Sequence, residues 1–160
     1  MKNHLAWLNG LRLVLLLVFF SNNYVHLSAQ SEEVANGWAA FAQVEFKRTL
    51  MDDGIYYMLV PQFDERIKEL EGQAVQLRGY VMPFDYGDEP FFILSKFPYS
   101  SCFFCGGAGP ESVAEIHLST KPAALSMDQQ IVVTGYLRLN DDDINQMNFI
   151  LEESRIERTP

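Results

Sequence analysis

Residues 72–80 read GQAVQLRGY, and this run decides the fold of the chain. Its apolar side chains Val75 and Leu77 alternate with polar ones, which is typical of a strand with one face on a core. Gly79 lies within that strand, and residues 128–136, DQQIVVTGY, repeat the arrangement with a glycine directly before a tyrosine. Glycine inside a strand marks a bulge or a sharp bend, which lets a small sheet coil into a barrel.

Further strands are predicted from short runs of β-branched and apolar residues bounded by turn signals. They cover residues 91–98, 113–119, 129–139 and 147–157. A strand containing Phe41, Val44 and Phe46 precedes a turn at residues 52–54, and a β-rich run to Val60 follows that turn.

One helix is predicted between Pro61 and Gly72. Phe63, Ile67 and Leu70 fall at i, i+4 and i+7, which makes a single apolar stripe, and glycine is a common helix stop. Several short strands at this spacing with one helix beside them predict a mainly β protein. We expect a small OB-like barrel, closed or partly open, with one or two helices.

The first 29 residues have the layout of a secretory signal peptide. Lys2 and Arg12 precede an apolar run at residues 13–20, and the small residues Ser28 and Ala29 follow. The alternative, an uncleaved anchor, would need about 20 apolar residues, more than this run provides. We therefore expect cleavage near Ala29, export to the periplasm or the medium, and no transmembrane segment after cleavage.

The remaining residues form one predicted domain. Residues 30–40 are expected to be a flexible segment, and residues 41–158 a single OB-like β-barrel domain. The full chain carries 12 Lys and Arg against 21 Asp and Glu, and removal of the signal takes away basic residues only. Because so acidic a chain repels phosphate backbones, nucleic acid is excluded as a partner. The expected partner is a protein of the cell envelope or a small ligand.

Residues 100–112, SSCFFCGGAGPES, hold the only cysteines, Cys102 and Cys105. Catalytic dithiol exchange needs a thiolate at a helix N-terminus, whereas the glycines and proline after Cys105 cannot continue a helix. Haem attachment requires histidine directly after the second cysteine, and position 106 is glycine. Redox exchange is therefore the weakest of three alternatives, and the strongest is a local disulfide or a pair of buried thiols that fixes the loop.

The second alternative is a metal site. A Cys-x-x-Cys turn can direct two thiolates at one ion, and a closed zinc site needs four ligands. His117 and Glu115 alternate with apolar residues in the strand at 113–119, so both point to the same face. Cys102, Cys105, His117 and Glu115 are therefore the candidate ligands for zinc or another transition metal.

No catalytic constellation is apparent, because the serines near the cysteines have no histidine placed beside them in sequence. A non-enzymatic protein is favoured over an enzyme for that reason. The aromatic side chains around the cysteines are candidates for lining a ligand cleft. The candidate binding residues are Phe103, Phe104 and Tyr80.

Together these motifs resemble an uncharacterised family of small exported bacterial proteins, a domain of unknown function with an OB-like fold. The likeness spans about residues 56–157 and consists of a Gly-Tyr-x-x-Pro strand and a cysteine- and phenylalanine-rich loop. The matching positions are Gly79, Tyr80, Pro83, Cys102, Phe104 and Cys105. The resemblance implies an accessory role near transport systems, which favours the metal interpretation. The leading hypothesis is an exported binding or accessory protein, and the alternatives are a thiol–disulfide redox protein or a structural envelope component.

Overall fold

The computed structural model describes residues 34–51, 54–82, 91–120 and 125–157. The predicted signal peptide, the first residues of the predicted flexible segment and Pro83 lie outside these ranges. No helix within them is long and apolar enough to cross a membrane.

The first part of the described chain builds two small helices and a hairpin beside the main sheet. Its elements are β1 (Ala35–Asn36), α1 (Gly37–Phe41), β2 (Glu45–Leu50), β3 (Tyr57–Gln62) and α2 (Glu65–Lys68). The second part supplies the barrel strands. These are β4 (Ala74–Val81), β5 (Phe91–Ser95), β6 (Val113–Leu118), β7 (Gln130–Leu139) and β8 (Phe149–Glu157).

The five strands β4 to β8 close into a barrel. Their order is β4-β5-β6-β8-β7, and β4 pairs with β7 to complete the circle. All neighbours are antiparallel except β6 and β8, which are parallel. The prediction of a mainly β protein, a small closed barrel with one or two helices, is confirmed.

Both glycines of the repeated pattern lie where the barrel leaves no room for a side chain. A Cβ atom on Gly79 would collide with the backbone oxygen of Ser95 on the neighbouring strand. On Gly135 it would collide with the side chain of Ser154, next to a register shift between β7 and β8. At this shift β8 has two residues, Glu153 and Ser154, opposite the single Gly135, and the φ of Glu153 is +49°. The predicted bend positions therefore match close contacts and a bulge.

The core fills the barrel with the side chains that alternate inward. Phe41 of α1 stacks on Phe149 of β8, with ring centroids 4.0 Å apart. Ile67 of α2 is also buried, and the half-buried Phe63 and Leu70 pack against the same cluster. Other fully buried members are Val75, Leu77, Leu94, Ala114, Ile116, Val133 and Leu151.

The segment before the barrel differs from its prediction. Residues 35–40, predicted to be part of a flexible segment, instead form β1 and most of α1, and Trp38 is 5% exposed. The Trp38 indole Nε1 donates to the carbonyl oxygen of Arg78 at 2.8 Å. Phe41, predicted in a strand, ends α1, because Trp38 and Phe41 at i and i+3 both face the barrel core.

The predicted helix forms, but it is short. Asp64 caps α2 by accepting the backbone N–H of Ile67 at 3.1 Å, and Gly72 follows with a φ of +74°. Pro61 precedes the helix as expected, and it lies near the end of β3.

The β2–β3 hairpin forms a separate two-stranded sheet, with register from Glu45 opposite Gln62 to Leu50 opposite Tyr57. The predicted turn is present in part: Gly54 has a φ of +67°, and residues 52–53 lie outside the described ranges. The hairpin leaves several large apolar side chains exposed. They are Leu50, Ile55, Tyr56, Tyr57 and Leu59.

Candidate functional site

The cysteine loop joins β5 to β6 through three short 3-10 turns. The middle turn, Phe103–Cys105, ends at Gly106 in the left-handed conformation, with a φ of +74°. Gly107 then approaches the backbone of Ser101 so closely that a Cβ atom would lie 2.6 Å from its carbonyl oxygen. Glycine is required at both positions, because one needs a positive φ and the other has no space.

The two thiols face different surroundings. Cys102 is fully buried, whereas Cys105 is exposed. Their sulfur atoms are 3.9 Å apart and both are free thiols, so of the two structural alternatives the structure has the thiol pair and not the disulfide. Partial loss of water around Cys105, followed by its hydrogen bond to Cys102, raises the pKa of the Cys105 thiol. The accessible thiol is thus not activated as a redox nucleophile would be.

A second apolar cluster lies on the outer face of the barrel. Cys102 packs there with Met82, Ile93 and Val113. Ile93 and Val113 alternate with residues of β5 and β6 that face the main core, so they point to the opposite side of the sheet. Half-buried side chains complete the cluster, and these are Tyr80, Phe103 and Met147.

Glu115 and His117 lie on the same outer face, as predicted from their spacing. Glu115 is only 4% exposed, and its carboxylate accepts from His117 Nε2 at 2.6 Å and from the backbone N–H of Met147 at 3.0 Å. The His117 ring stacks on Phe91. Glu115 therefore ties β6 to the loop that joins β7 and β8.

The far side of His117 faces a second ion pair. His117 Nδ1 lies 3.9 Å from Glu152 Oε2, and Arg138 Nε donates to Glu152 Oε1 at 2.9 Å. Arg138 also donates to the side-chain oxygen of Gln146 at 3.3 Å. This network connects β6, β7 and β8 to the same loop.

The four predicted metal ligands do not come together as one set. The structure arranges them as two pairs, the thiols of Cys102 and Cys105 and the ion pair of Glu115 and His117. Within the described ranges, no three His, Cys, Asp or Glu side chains are grouped so that they could hold a metal ion. Both carboxylate oxygens of Glu115 already have partners. Oε1 accepts from His117 Nε2, and Oε2 accepts the backbone N–H of Met147.

A cleft of about 270 Å³ opens between the hairpin, the cysteine loop and the β7–β8 loop. Its floor and walls are mostly apolar, and three aspartates stand on one wall. The lining residues outside that wall include Met58–Pro61, Phe103, Pro110, Val113 and Met147. The aspartates are Asp141, Asp142 and Asp143.

The cleft contains one of the three predicted binding residues. Phe103 lines it, while Phe104 is 41% exposed and packs edge-on against Phe103 with ring centroids 5.3 Å apart. Tyr80 packs against the second apolar cluster instead. Of the three predicted binding residues, Phe103 is therefore the one that lies at the cleft.

The buried side chain of Asn140 holds the aspartate-bearing loop from within. Asn140 is 4% exposed, and its amide oxygen accepts the backbone N–H of Asp143 at 2.9 Å. Its amide nitrogen donates to the carbonyl oxygens of Asp143 and Met147 at 2.8 and 3.2 Å. These bonds fix the backbone of the acidic wall before any ligand arrives.

The sequence offered only faint signs of this cleft. The acidic run from Asp141 to Asp143 is also what a hydrated turn looks like, and Met58–Pro61 is an ordinary strand. Asn140 at the head of the loop is the one local sign, since asparagine side chains often bond the backbone of the turn that follows.

No protein-family model matches the chain, and no protein of curated function matches its sequence. Among solved structures, a DUF3299 family protein from Pseudomonas aeruginosa PAO1 is similar over 65% of this chain and 69% of its own. The sequence identity is 13% and the TM-score 0.42. A likeness this remote says nothing about what the chain binds.

Proposed function

We propose that this protein is an exported, non-enzymatic binding protein of the bacterial cell envelope. Its binding site is the cleft between the β2–β3 hairpin, the cysteine loop and the β7–β8 loop. One observation carries the proposal: three separate chain segments converge on an apolar cavity, and a fixed acidic wall stands at its side. Ligand sites of proteins have this composition, with many apolar contacts for affinity and a few placed polar groups for orientation.

Export is supported by the leader pattern of residues 1–29, and the acidic composition supports partners other than nucleic acid. In this proposal the cysteine loop forms one wall of the binding cleft. Cys102 anchors it to the barrel through the second apolar cluster, and Phe103 presents its ring to the cleft. A cycling thiol pair is disfavoured, because the pKa of the exposed Cys105 thiol is raised.

Methionine methyl groups provide a direct test. Met58 and Met147 line the cleft, whereas Met127 is 62% exposed elsewhere. The mature protein, labelled with ¹³C on its methionine methyls, is titrated with a library of small apolar and cationic fragments. We expect binders to shift the Met58 and Met147 signals and to leave Met127 in place. Binders that shift Met127 alone would contradict the proposal.

A pair of variants strengthens that test. Val60→Glu places a charge in the apolar wall and should abolish the binding of uncharged apolar fragments, since such a fragment would have to displace the water around the carboxylate without replacing its hydrogen bonds. Leu50→Glu changes an exposed side chain of the same hairpin that is not among the lining residues, and binding should persist. Equal binding by both variants would place the site elsewhere.

A further inference from the structure

The cleft runs along the edge of β3. Four consecutive residues, Met58 to Pro61, line it. Successive side chains of a strand point to opposite faces of the sheet. A cavity that is lined by residues of both faces must therefore lie beside the edge of the strand and not over one face. Among the described residues, β2 is the only strand paired with β3, which leaves the cleft-side edge of β3 without a neighbouring strand.

The hydrogen-bond pattern of the hairpin shows which backbone groups this edge presents. The Met51 N–H donates to the Tyr56 carbonyl at 3.0 Å, one step beyond the pair Leu50–Tyr57. In an antiparallel ladder, bonded and non-bonded pairs alternate. Tyr57 and Leu59 therefore belong to non-bonded pairs, and their N–H and C=O groups point away from β2.

Pro61 falls in the same phase as Tyr57 and Leu59. Proline has no N–H to donate, and within sheets it is confined to positions where that group would face away from a partner strand. Its place in β3 thus agrees with an open edge, which the ladder pattern indicates independently.

The charge of the cleft is one-sided. Its lining includes Asp141, Asp142 and Asp143 and no lysine, arginine or histidine among the described residues. Asn140 holds the backbone of this wall in place, so its carboxylates remain beside the apolar floor. A group that complements this site is apolar on one side and positively charged on the other.

We propose, on the basis of the binding site above, that the occupant is an extended segment of a partner protein that alternates apolar and basic residues. The segment adds to β3 as a further strand and pairs with the backbone groups of Tyr57 and Leu59. Its apolar side chains contact Phe103, Val113 and Met147 on the floor of the cleft. Its basic side chains face the aspartate wall. Addition of a strand to an open edge is a common mode of peptide recognition.

The probe is a capped synthetic peptide of about six residues, the length of a short strand, with alternating valine and lysine. Isothermal titration compares it with a valine–glutamate peptide of equal length. We expect the lysine peptide to bind at least about tenfold more tightly, with the advantage falling as salt is added. Equal affinity for the two peptides would overturn the charge argument.

Variants of the wall provide the matched control. The double variant Asp141→Asn, Asp142→Asn keeps the shape of the loop and removes two charges, and it should lose most of that preference. Glu69→Gln removes an exposed carboxylate that is not among the lining residues and should bind like the parent protein. Circular dichroism confirms that each variant is folded.

Backbone methylation of the peptide separates strand addition from simple burial. N-methyl groups on the amides of alternate residues block one edge of the peptide, so one of the two methylated versions should lose binding by about tenfold or more. If both methylated versions bind like the parent peptide while Met58 and Met147 still shift, strand addition is wrong and the cleft remains the site. If fragments and peptides leave both methyls unmoved, the proposed function itself fails. Binding to anionic lipid vesicles in place of the peptide would also overturn the inference.

Discussion

Gly79 lies where two barrel strands approach too closely for any side chain. Its missing Cβ leaves room for the backbone oxygen of Ser95 and for Leu94. Backbone cannot move aside as the end of a flexible side chain can, so the position accepts only glycine without distortion of the sheet. The curvature of the barrel therefore depends on single residues, as it also does at Gly135.

Gly79→Val should lower the free energy of unfolding by about 2 kcal/mol or more, because overpacking forces strands apart. Gln73→Val, at an exposed residue directly before the same strand, is the control and should change that free energy by less than about 0.5 kcal/mol. Urea unfolding measures both. A Gly79→Val protein as stable as the parent would show that β4 and β5 do not approach in this way.

The two thiols should react in a fixed order. Iodoacetamide should label the exposed Cys105 of the folded, reduced protein and leave the buried Cys102 unmodified. Because the pKa of Cys105 is raised, its labelling rate should rise with pH through a midpoint above the ordinary thiol value of about 8.5. In Cys102→Ala the midpoint should fall, since the hydrogen bond and charge of the second thiol are gone. Mass spectrometry of the digested peptides shows which cysteine is labelled. Faster labelling of Cys102 than of Cys105 would contradict the burial of Cys102.

At the scale of elements, the β7–β8 loop depends on Asn140 more than on its aspartates. Asn140→Ala removes bonds to the backbone of Asp143 and Met147 and leaves buried groups without partners. We expect a loss of about 2 kcal/mol in unfolding free energy. Asn145→Ala, an exposed residue of the same loop, should cost less than about 1 kcal/mol. Equal losses would mean that Asn140 does not organise the loop.

The capping interaction of helix α2 should make the free energy of unfolding depend on pH. The hydrogen bond from Arg66, then that from the backbone of Ile67, holds the pKa of Asp64 below its ordinary value. A carboxylate with a lowered folded pKa stabilises the protein above the unfolded pKa of about 3.9, and this contribution is lost as the pH falls through the folded value.

Asp64→Ala should therefore be less stable than the parent protein at pH 7, and the gap should narrow as the pH falls below about 4. Asp64→Asn retains a cap that does not titrate, which isolates the effect of charge. Urea titrations over this range measure the gap, and a constant difference at every pH would rule out the ionised cap.

Elements with a strong local pattern could be predicted from the sequence. The strand at residues 113–119 was placed correctly with Glu115 and His117 on its outer face, because alternation is set by the backbone alone. The segment at residues 35–40 is predicted to be flexible but is folded, because the burial of Trp38 depends on a barrel that the local sequence does not reveal. Tertiary packing, not propensity, makes α1.

At the scale of the whole molecule, the barrel was predictable and its site only in part. The repeated glycine pattern marks the strands, whereas the cleft is assembled from segments far apart in the chain. Phe103 is predicted as a binding residue because it adjoins the cysteines, and it lines the cleft. Met58 and Asp142 carry no sign of their shared cavity, since their proximity arises only when the hairpin and the β7–β8 loop meet.

Amide hydrogen exchange at the edge of β3 offers the sharpest check on the binding site. The protein is compared with and without the valine–lysine peptide at about ten times its Kd. We predict that exchange at Tyr57 and Leu59 slows by about tenfold, because their free N–H groups become paired. Protection confined to the outer face of β5 and β6, around Phe91 and His117, or no protection at all, would contradict this account.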